Sequence, residues 1–476
     1  MTKKSLTKKE IEALQKKITR KPTLCWDTFT SKDQAAVFDY GERYKAFLDQ
    51  AKTEREAVQT ILNQAKAAGF VSLDDVSGNS KALGRYYKVF QDRVIALAVT
   101  GKTPISKGLH IVASHMDSPR LDLKQVPVYE DLGIAMLKTH YYGGIKKYQW
   151  FARPLAIHGT VVTAAGKKIH LTIGEEEKDP VFTVSDLLPH LSASQKEKKL
   201  KEAFEGEKMN LLAGSLPCGD DGVKERFKLT VLKHLYDTYG IIEEDLVSAD
   251  IEVVPAGRAR DVGFDKSMVG AYGQDDRICV FAALEAILSA FSPQTTNLVL
   301  FYDKEEIGSE GNTSVQSHFI ADVVTALLSV MGADSGHKAL RHALMNADAL
   351  SGDVNAAVEP DYQNVHDKKN APYLGYGVCL TKFTGQRGKA GSSEAGAEFM
   401  GNVRALFNKC NIVWQTGELG KIDEGGGGTM AKYLAAYGMD ILDCGPGVLS
   451  MHAPFEISSK ADAFMTAKAY KAFLES

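Results

Sequence analysis

From residue 250 onward, short apolar runs alternate with stretches of helical periodicity, and this alternation constrains the fold more than any other feature. Apolar runs at 251–254, 298–302, 347–350, 378–382, 412–415 and 440–443 are separated by helical spacing, most clearly over 277–290 and 315–330, and a last helical stretch closes the chain. Runs apolar on both faces of a strand must be covered on both faces, so the pattern predicts an α/β fold with a parallel or mixed sheet flanked by helices. The first part of the chain has the same texture. Amphipathic spacing over 32–68 (Phe38, Tyr44, Phe47, Leu48, Ile61) predicts one or two long helices, followed by strands at 86–90, 94–99 and 109–113. Between 120 and 250 the texture becomes short strands, charged turns and polar loops, including a Lys- and Glu-rich run over 195–208. The most economical organisation is one α/β domain, residues 1–119 plus 251–476, interrupted by a mostly-β insertion over 120–250.

Composition removes several function classes. The chain has 476 residues, so about 150 residues per domain allows about three units. Lys plus Arg number 57 against 60 for Asp plus Glu, which argues against a whole-chain nucleic-acid binder. At 44% hydrophobic the chain can bury a core, so disorder is excluded as the main state. No run approaches the ~20 apolar residues of a membrane span. Six scattered cysteines contain no Cys-x-x-Cys pair, and the basic start lacks an apolar signal region. A cytoplasmic protein with reduced cysteines and a surface helix at its start is expected.

Five segments place acidic or imidazole groups at the end of an apolar strand or the start of a helix, where open α/β sheets bind ligands. In Ala-Ser-His115-Met-Asp117-Ser-Pro-Arg, extended backbone turns residues 115 and 117 to one face. Asp117 can then accept from one imidazole nitrogen and leave the other for a metal. Asp275-Asp276-Arg277 lies at a loop-to-helix junction, where an aspartate also serves as an ordinary N-cap. Asp303-Lys-Glu305-Glu306-Ile-Gly-Ser309 ends a buried strand. Adjacent side chains diverge there, so one glutamate can ligate while its neighbour acts on water. Asp353 and His452 close two further strand ends. Such a set of N and O donors without thiolate suits zinc, cobalt or manganese, and a carboxylate bridging two ions would make a hydrolytic centre. No phosphate loop and no Gly-x-Ser-x-Gly elbow is present.

The order His-x-Asp, Asp, Glu-Glu, Asp, His resembles the dinuclear-zinc exopeptidases, and the surrounding residues resemble the aspartyl aminopeptidase and aminopeptidase I family. The stretches carrying this are 113–120, Thr-His-Tyr-Tyr-Gly-Gly-Ile-Lys-Lys-Tyr-Gln-Trp at 139–150, Ser-Asp-Leu-Leu-Pro-His190-Leu at 185–191, 303–309, Asp-Glu-Gly-Gly-Gly-Gly-Thr at 423–429, and Ser-Met-His452. They span nearly the whole chain. Residues 139–150 and the four glycines are closer to the bacterial aminopeptidase I branch.

The resemblance implies a metalloaminopeptidase acting on short peptides with two divalent ions, zinc above cobalt or manganese. His115, Asp275 and Asp353 would hold one ion; Asp275, Glu306 and His452 the other. Glu305 would be the general base and Asp117 the partner of His115, and the Asp275–Asp276 peptide bond would be cis. The insertion would serve dimerisation and reach over a neighbour's site with His190, in a tetrahedral homododecamer without nucleic-acid or membrane partners. Acid-selective members carry a histidine three residues after the fourth-segment aspartate. Ala356 stands there, and Lys382 is the remaining candidate to meet an acidic substrate side chain. A related carboxypeptidase or deacylase, or a non-catalytic scaffold, stays open on sequence alone.

Overall fold

The apolar runs expected to be buried strands lie side by side in one sheet. The computed structural model describes residues 6–76 and 83–476. Among these, a nine-stranded mixed sheet carries the strands Thr296–Tyr302, Leu109–His115, Asp348–Ser351 and Asp440–Gly445 as parallel neighbours at its centre. Arg85–Phe90 and Val94–Val99 join antiparallel on one side. Val378–Thr381 joins antiparallel on the other and pairs in parallel with Trp414–Thr416. Every residue of Val94–Val99 and Thr296–Tyr302 is buried.

Helices cover both faces. One face is packed by Ser31–Gln50, Glu54–Ala67, Gln274–Leu288 and Lys460–Leu474, the other by Phe319–Val330, His337–Met345 and Ala431–Ala435. The first two helices begin at Thr30 and Thr53, each closing a capping box with the acid three residues on, Asp33 and Glu56. On the first face Tyr40, Tyr44 and Phe47 surround Phe281 with ring centroids 5.1, 5.6 and 5.2 Å away. The helix Lys8–Ile18 buries no residue, as expected of a surface helix.

Residues 120–255 build a second, six-stranded sheet with its own apolar cluster around Trp150, Leu155, Val161, Leu211 and Val253. Three features differ from the sequence reading. The strands here are not all short: Arg120–Asp131 has 12 residues and Ile134–Tyr142 has 9. Burial alternates along Ile134–Tyr142, where Ala135, Leu137 and Thr139 are buried between less buried neighbours. The strand Asp250–Pro255, expected to open the returning α/β segment, instead pairs with Leu155–Val162 and Arg120–Asp131. The helix expected from 315 starts at Phe319, because 311–317 is taken up by turns bonded through Ser314.

Phe281 anchors three aromatic neighbours against the sheet. Phe281→Ala is expected to cost about 3–5 kcal/mol, read from urea denaturation, and a cost under about 1 kcal/mol would show that the cluster does not hold the helices.

Candidate active site

The parallel strands at the sheet centre end together, and their C-terminal ends supply most of the site. His115 ends Leu109–His115, Asp303 follows Thr296–Tyr302, and Asp353 follows Asp348–Ser351 by two residues. Asp275 comes from the start of the helix Gln274–Leu288, whose φ/ψ at 275 and 276 are not yet helical and whose Asp275–Asp276 bond is cis, as expected.

Asp275 is the geometric centre. Its Oδ1 lies 3.3 Å from His115 Nε2 and its Oδ2 lies 3.2 Å from His452 Nε2. Asp353 Oδ1 is 3.9 Å from His115 Nε2, and Glu306 Oε2 is 3.3 Å from His452 Nε2. Ligand-capable atoms of His115, Asp275 and Asp353 fall within 4.8 Å of one another, as do those of Asp275, Glu306 and His452. These are the two sets that the resemblance implies. A third set, His115, Glu305 and Glu306, meets the same limit.

Each imidazole is aimed by its other nitrogen. His115 Nδ1 lies 3.1 Å from the Asp117 main-chain oxygen and 3.3 Å from Asp117 Oδ1. His452 Nδ1 lies 2.9 Å from Gly144 O, so the 139–150 segment of the insertion orients the His452 imidazole. Donation from Nδ1 leaves both Nε2 lone pairs facing Asp275. His452 takes φ +64 and Ser450 φ +54, uncommon for residues with a Cβ, and the surrounding bonds hold this loop in place.

Glu305 and Glu306 diverge for a different reason than the sequence suggested. They lie in a 3₁₀ turn, Glu305–Ile307, entered through Lys304 at φ +68 rather than on extended backbone. Successive side chains on such a turn are about 120° apart, which still separates the two carboxylates. Asp117 fixes the turn: its Oδ1 accepts from Glu305 N and its Oδ2 from Glu306 N, both at 3.1 Å, while Tyr142 Oη donates to Oδ2 at 2.8 Å.

The charge pattern fits divalent cations. Burial, with Glu305 and Asp275 nearby, pushes the Asp353 carboxyl well above its usual range. Burial and Asp275 do the same to Glu306. Burial, reinforced by Asp117 and Asp275, raises Glu305 to about 7. Burial opposes charge on His452, but Glu306 and Asp275 outweigh it and raise that imidazole to about 10. Glu306 Oε1 is buried without a hydrogen-bond donor. Crowded carboxylates with an orphaned oxygen between imidazoles are relieved by a cation, and the N/O donor set suits zinc.

One organising residue was missed in the sequence. Glu456 is buried, accepting from Gln274 N at 2.6 Å and Asp275 N at 3.2 Å through Oε2, and from His452 N at 2.7 Å through Oε1. It ties the two ends of the site together. No local motif marks it; its only signal is an isolated acid in the apolar stretch before the last helix.

Lys382 lies away from the cavity, and His190, expected at a neighbouring subunit's site, lies on the surface of the insertion. Lys382 is not among the residues lining the cavity over the site, and its ammonium pairs with Glu394 at 3.2 Å. Along that strand Thr381 faces the cavity, so alternation turns Lys382 away. Arg387, Lys389, Lys421 and Lys432 are the cations that line it. His190 is exposed in the turn Pro189–Leu191 of the insertion and is also absent from the lining. Asn355, not Ala356, faces the cavity.

Asp117→Asn would leave one of its acceptor oxygens an amide donor facing main-chain N–H groups. Metal affinity is expected to fall about 10–100-fold, measured by competition with a chelator, and an unchanged affinity would remove Asp117 from the support of His115 and the Glu305–Glu306 turn.

Known proteins share this sequence and fold. Residues 47–474 match the family described as aminopeptidase I zinc metalloprotease (M18). A probable M18 family aminopeptidase 1 of Clostridium acetobutylicum is 47% identical over 452 residues, 94% of this chain and 97% of that protein. One of Thermotoga maritima is 48% identical over 436 residues, covering 92% and 95%. The crystal structure of an M18-family aminopeptidase from Thermotoga maritima matches with a TM-score of 0.92 at 46% identity, covering 96% of this chain and all of that one. The Saccharomyces cerevisiae mApe1 dodecamer shares the fold at 20% identity, with a TM-score of 0.73 over 91% of this chain and 95% of that one. The carboxypeptidase, deacylase and scaffold readings give way, and the chain belongs to the M18 family of zinc metalloproteases as a metal-dependent aminopeptidase.

Proposed function

We propose that the enzyme removes N-terminal residues from short peptides with two divalent ions, zinc foremost, held by His115, Asp275 and Asp353 on one side and Asp275, Glu306 and His452 on the other. The observation that carries this is the posture of Asp275, whose two oxygens each face a different imidazole. Divalent ions held by these residues would supply Lewis-acid chemistry, lowering the pKa of water and polarising the scissile carbonyl. Glu305 is the base: it stands 3.9 Å from His115 Nε2 and lines the cavity. Raised toward neutrality by burial, it takes a proton from the attacking water and passes it to the leaving amine. Asp117 holds His115 and the Glu305–Glu306 turn throughout.

Glu305→Gln keeps shape but cannot accept a proton. It is expected to retain both metals and peptide binding while kcat falls at least about 10²-fold. Glu306→Gln is expected to lose one ion or bind it more weakly. Metal analysis showing the reverse would exchange the two roles.

We also read residues 120–250 as the assembly domain of a tetrahedral homododecamer, with residues 1–119 and 251–476 as the catalytic domain. Leu132 is 94% exposed at the tip of the Arg120–Tyr142 hairpin, and Leu187, Leu188 and Leu191 stand exposed around His190. Exposed apolar groups so concentrated suit burial against another subunit, where His190 would meet a neighbour's substrate. No helix among the described residues is long and apolar enough to cross a membrane, and the cytoplasm is the proposed setting. Sedimentation is expected to show a particle of about twelve chains, and Leu132→Asp with Leu191→Asp to break it into smaller species. A native protein sedimenting as a monomer would refute the assembly.

A further inference from the structure

The cavity over the site changes sign from floor to mouth. Asp275, Glu305, Glu306 and Asp353 make its floor acidic, while Arg387, Lys421 and Lys432 line the same cavity of about 440 Å³. The three cations come from separate segments that the fold brings together. Arg387, at φ +48, sits in the tight loop closed by Gln386 N to Ala390 O at 3.0 Å and Ala390 N to Gln386 O at 2.9 Å. That loop is pinned where Gly385 pairs with Gly427 and Gln386 with Gly426. A Cβ at Gly426 would come within 2.5 Å of Gly385 O, so the four-glycine run is what allows the two ribbons to meet. Lys421 is anchored by its N–H on Val365 O at 2.9 Å. Lys432 lies in Ala431–Ala435 beside Gly428, where a Cβ would stand 3.6 Å from its ammonium.

Among the described residues, none of these three cations has an ion-pair partner. A fourth, Lys389, is answered by Glu394 at 3.0 Å. Glu418 lines the same mouth, where burial and Asp367 raise its carboxyl and Lys389 opposes them. Cutting an N-terminal residue at the floor leaves these cations without a role.

A short peptide is itself a dipole, with an ammonium at one end and a carboxylate at the other. On the aminopeptidase reading its amine end lies at the floor, where the scissile bond is cut, and this sends the carboxylate of a short peptide toward the cations at the mouth. We propose that Arg387, Lys421 and Lys432 form a carboxylate-binding subsite that takes the C-terminal carboxylate of a short peptide, so the enzyme selects small peptides with a free C-terminus. This rests on the aminopeptidase reading above. The subsite orients the substrate as well as binding it, since a reversed peptide would set its ammonium against the three cations.

The test compares a tripeptide as free acid with the same tripeptide as C-terminal amide, on the metal-loaded enzyme. KM is expected to be roughly fivefold higher or more for the amide, and the gap to shrink as salt rises, since the mouth is open to solvent. In an Arg387→Gln, Lys421→Gln, Lys432→Gln variant the two KM values are expected to converge, with circular dichroism and metal content confirming the fold. A second arm compares Glu with Gln at the second position of an amidated tripeptide. A gap there that the variant removes, with none at the C-terminus, would make the ligand a side-chain carboxylate and overturn the C-terminal assignment. Equal KM for acid and amide in the native enzyme, or a gap that survives in the variant, would overturn the subsite. Absence of any peptide cleavage would instead sink the aminopeptidase reading.

Discussion

The carboxylate of Asp117 is the interaction on which the site depends. It is fully buried, and an isolated charge there would cost several kcal/mol. It is stabilised by two main-chain N–H groups of the Glu305–Glu306 turn, by the Tyr142 hydroxyl, and by the His115 imidazole. The same bonds that satisfy Asp117 set the directions of His115, Glu305 and Glu306. One buried charge thereby couples three chain segments far apart in sequence, and loosening it loosens all of them.

Glu456 does the corresponding work on the other side. By accepting from the N–H groups of Asp275 and His452, it fixes the Asp275 carboxylate against the His452 imidazole. Asp117 and Glu456 face the ligands from opposite flanks and do not themselves join the ligand sets. The insertion completes the frame: Tyr142 Oη donates to Asp117 and Gly144 O accepts a hydrogen bond from His452 Nδ1. A segment that builds its own sheet thus contributes directly to the orientation of the centre, which links any movement of that sheet to the chemistry.

The cavity has opposite charges at its two ends for one physical reason. Strand ends of the parallel sheet deliver carboxylates to the floor, whereas the glycine-bearing ribbons around 385–391 and 420–428, free of side-chain bulk at their crossing, deliver cations to the mouth.

Much of this was legible in the letters. Continuous apolar runs at 94–99 and 298–302 admit only a sheet covered on both faces, and acidic or imidazole residues near strand ends and helix starts marked five candidate segments. The division of His115, Asp275, Glu306, Asp353 and His452 into two ligand sets came from the family resemblance. What the letters did not hold is direction between distant segments. The turn of Lys382 away from the cavity depends on the side of the sheet that Thr381 faces, and Glu456 looks like any lone acid until the helix start at Gln274 packs over it. The long hairpin from Arg120 to Tyr142 was hidden because burial alternates along Ile134–Tyr142 and leaves no long apolar run to read. Sequence determined which residues could bind metal, since that is a matter of chemistry and local periodicity. Tertiary structure decided which of them meet, because contact between residues hundreds of positions apart is set by packing, which no local pattern encodes.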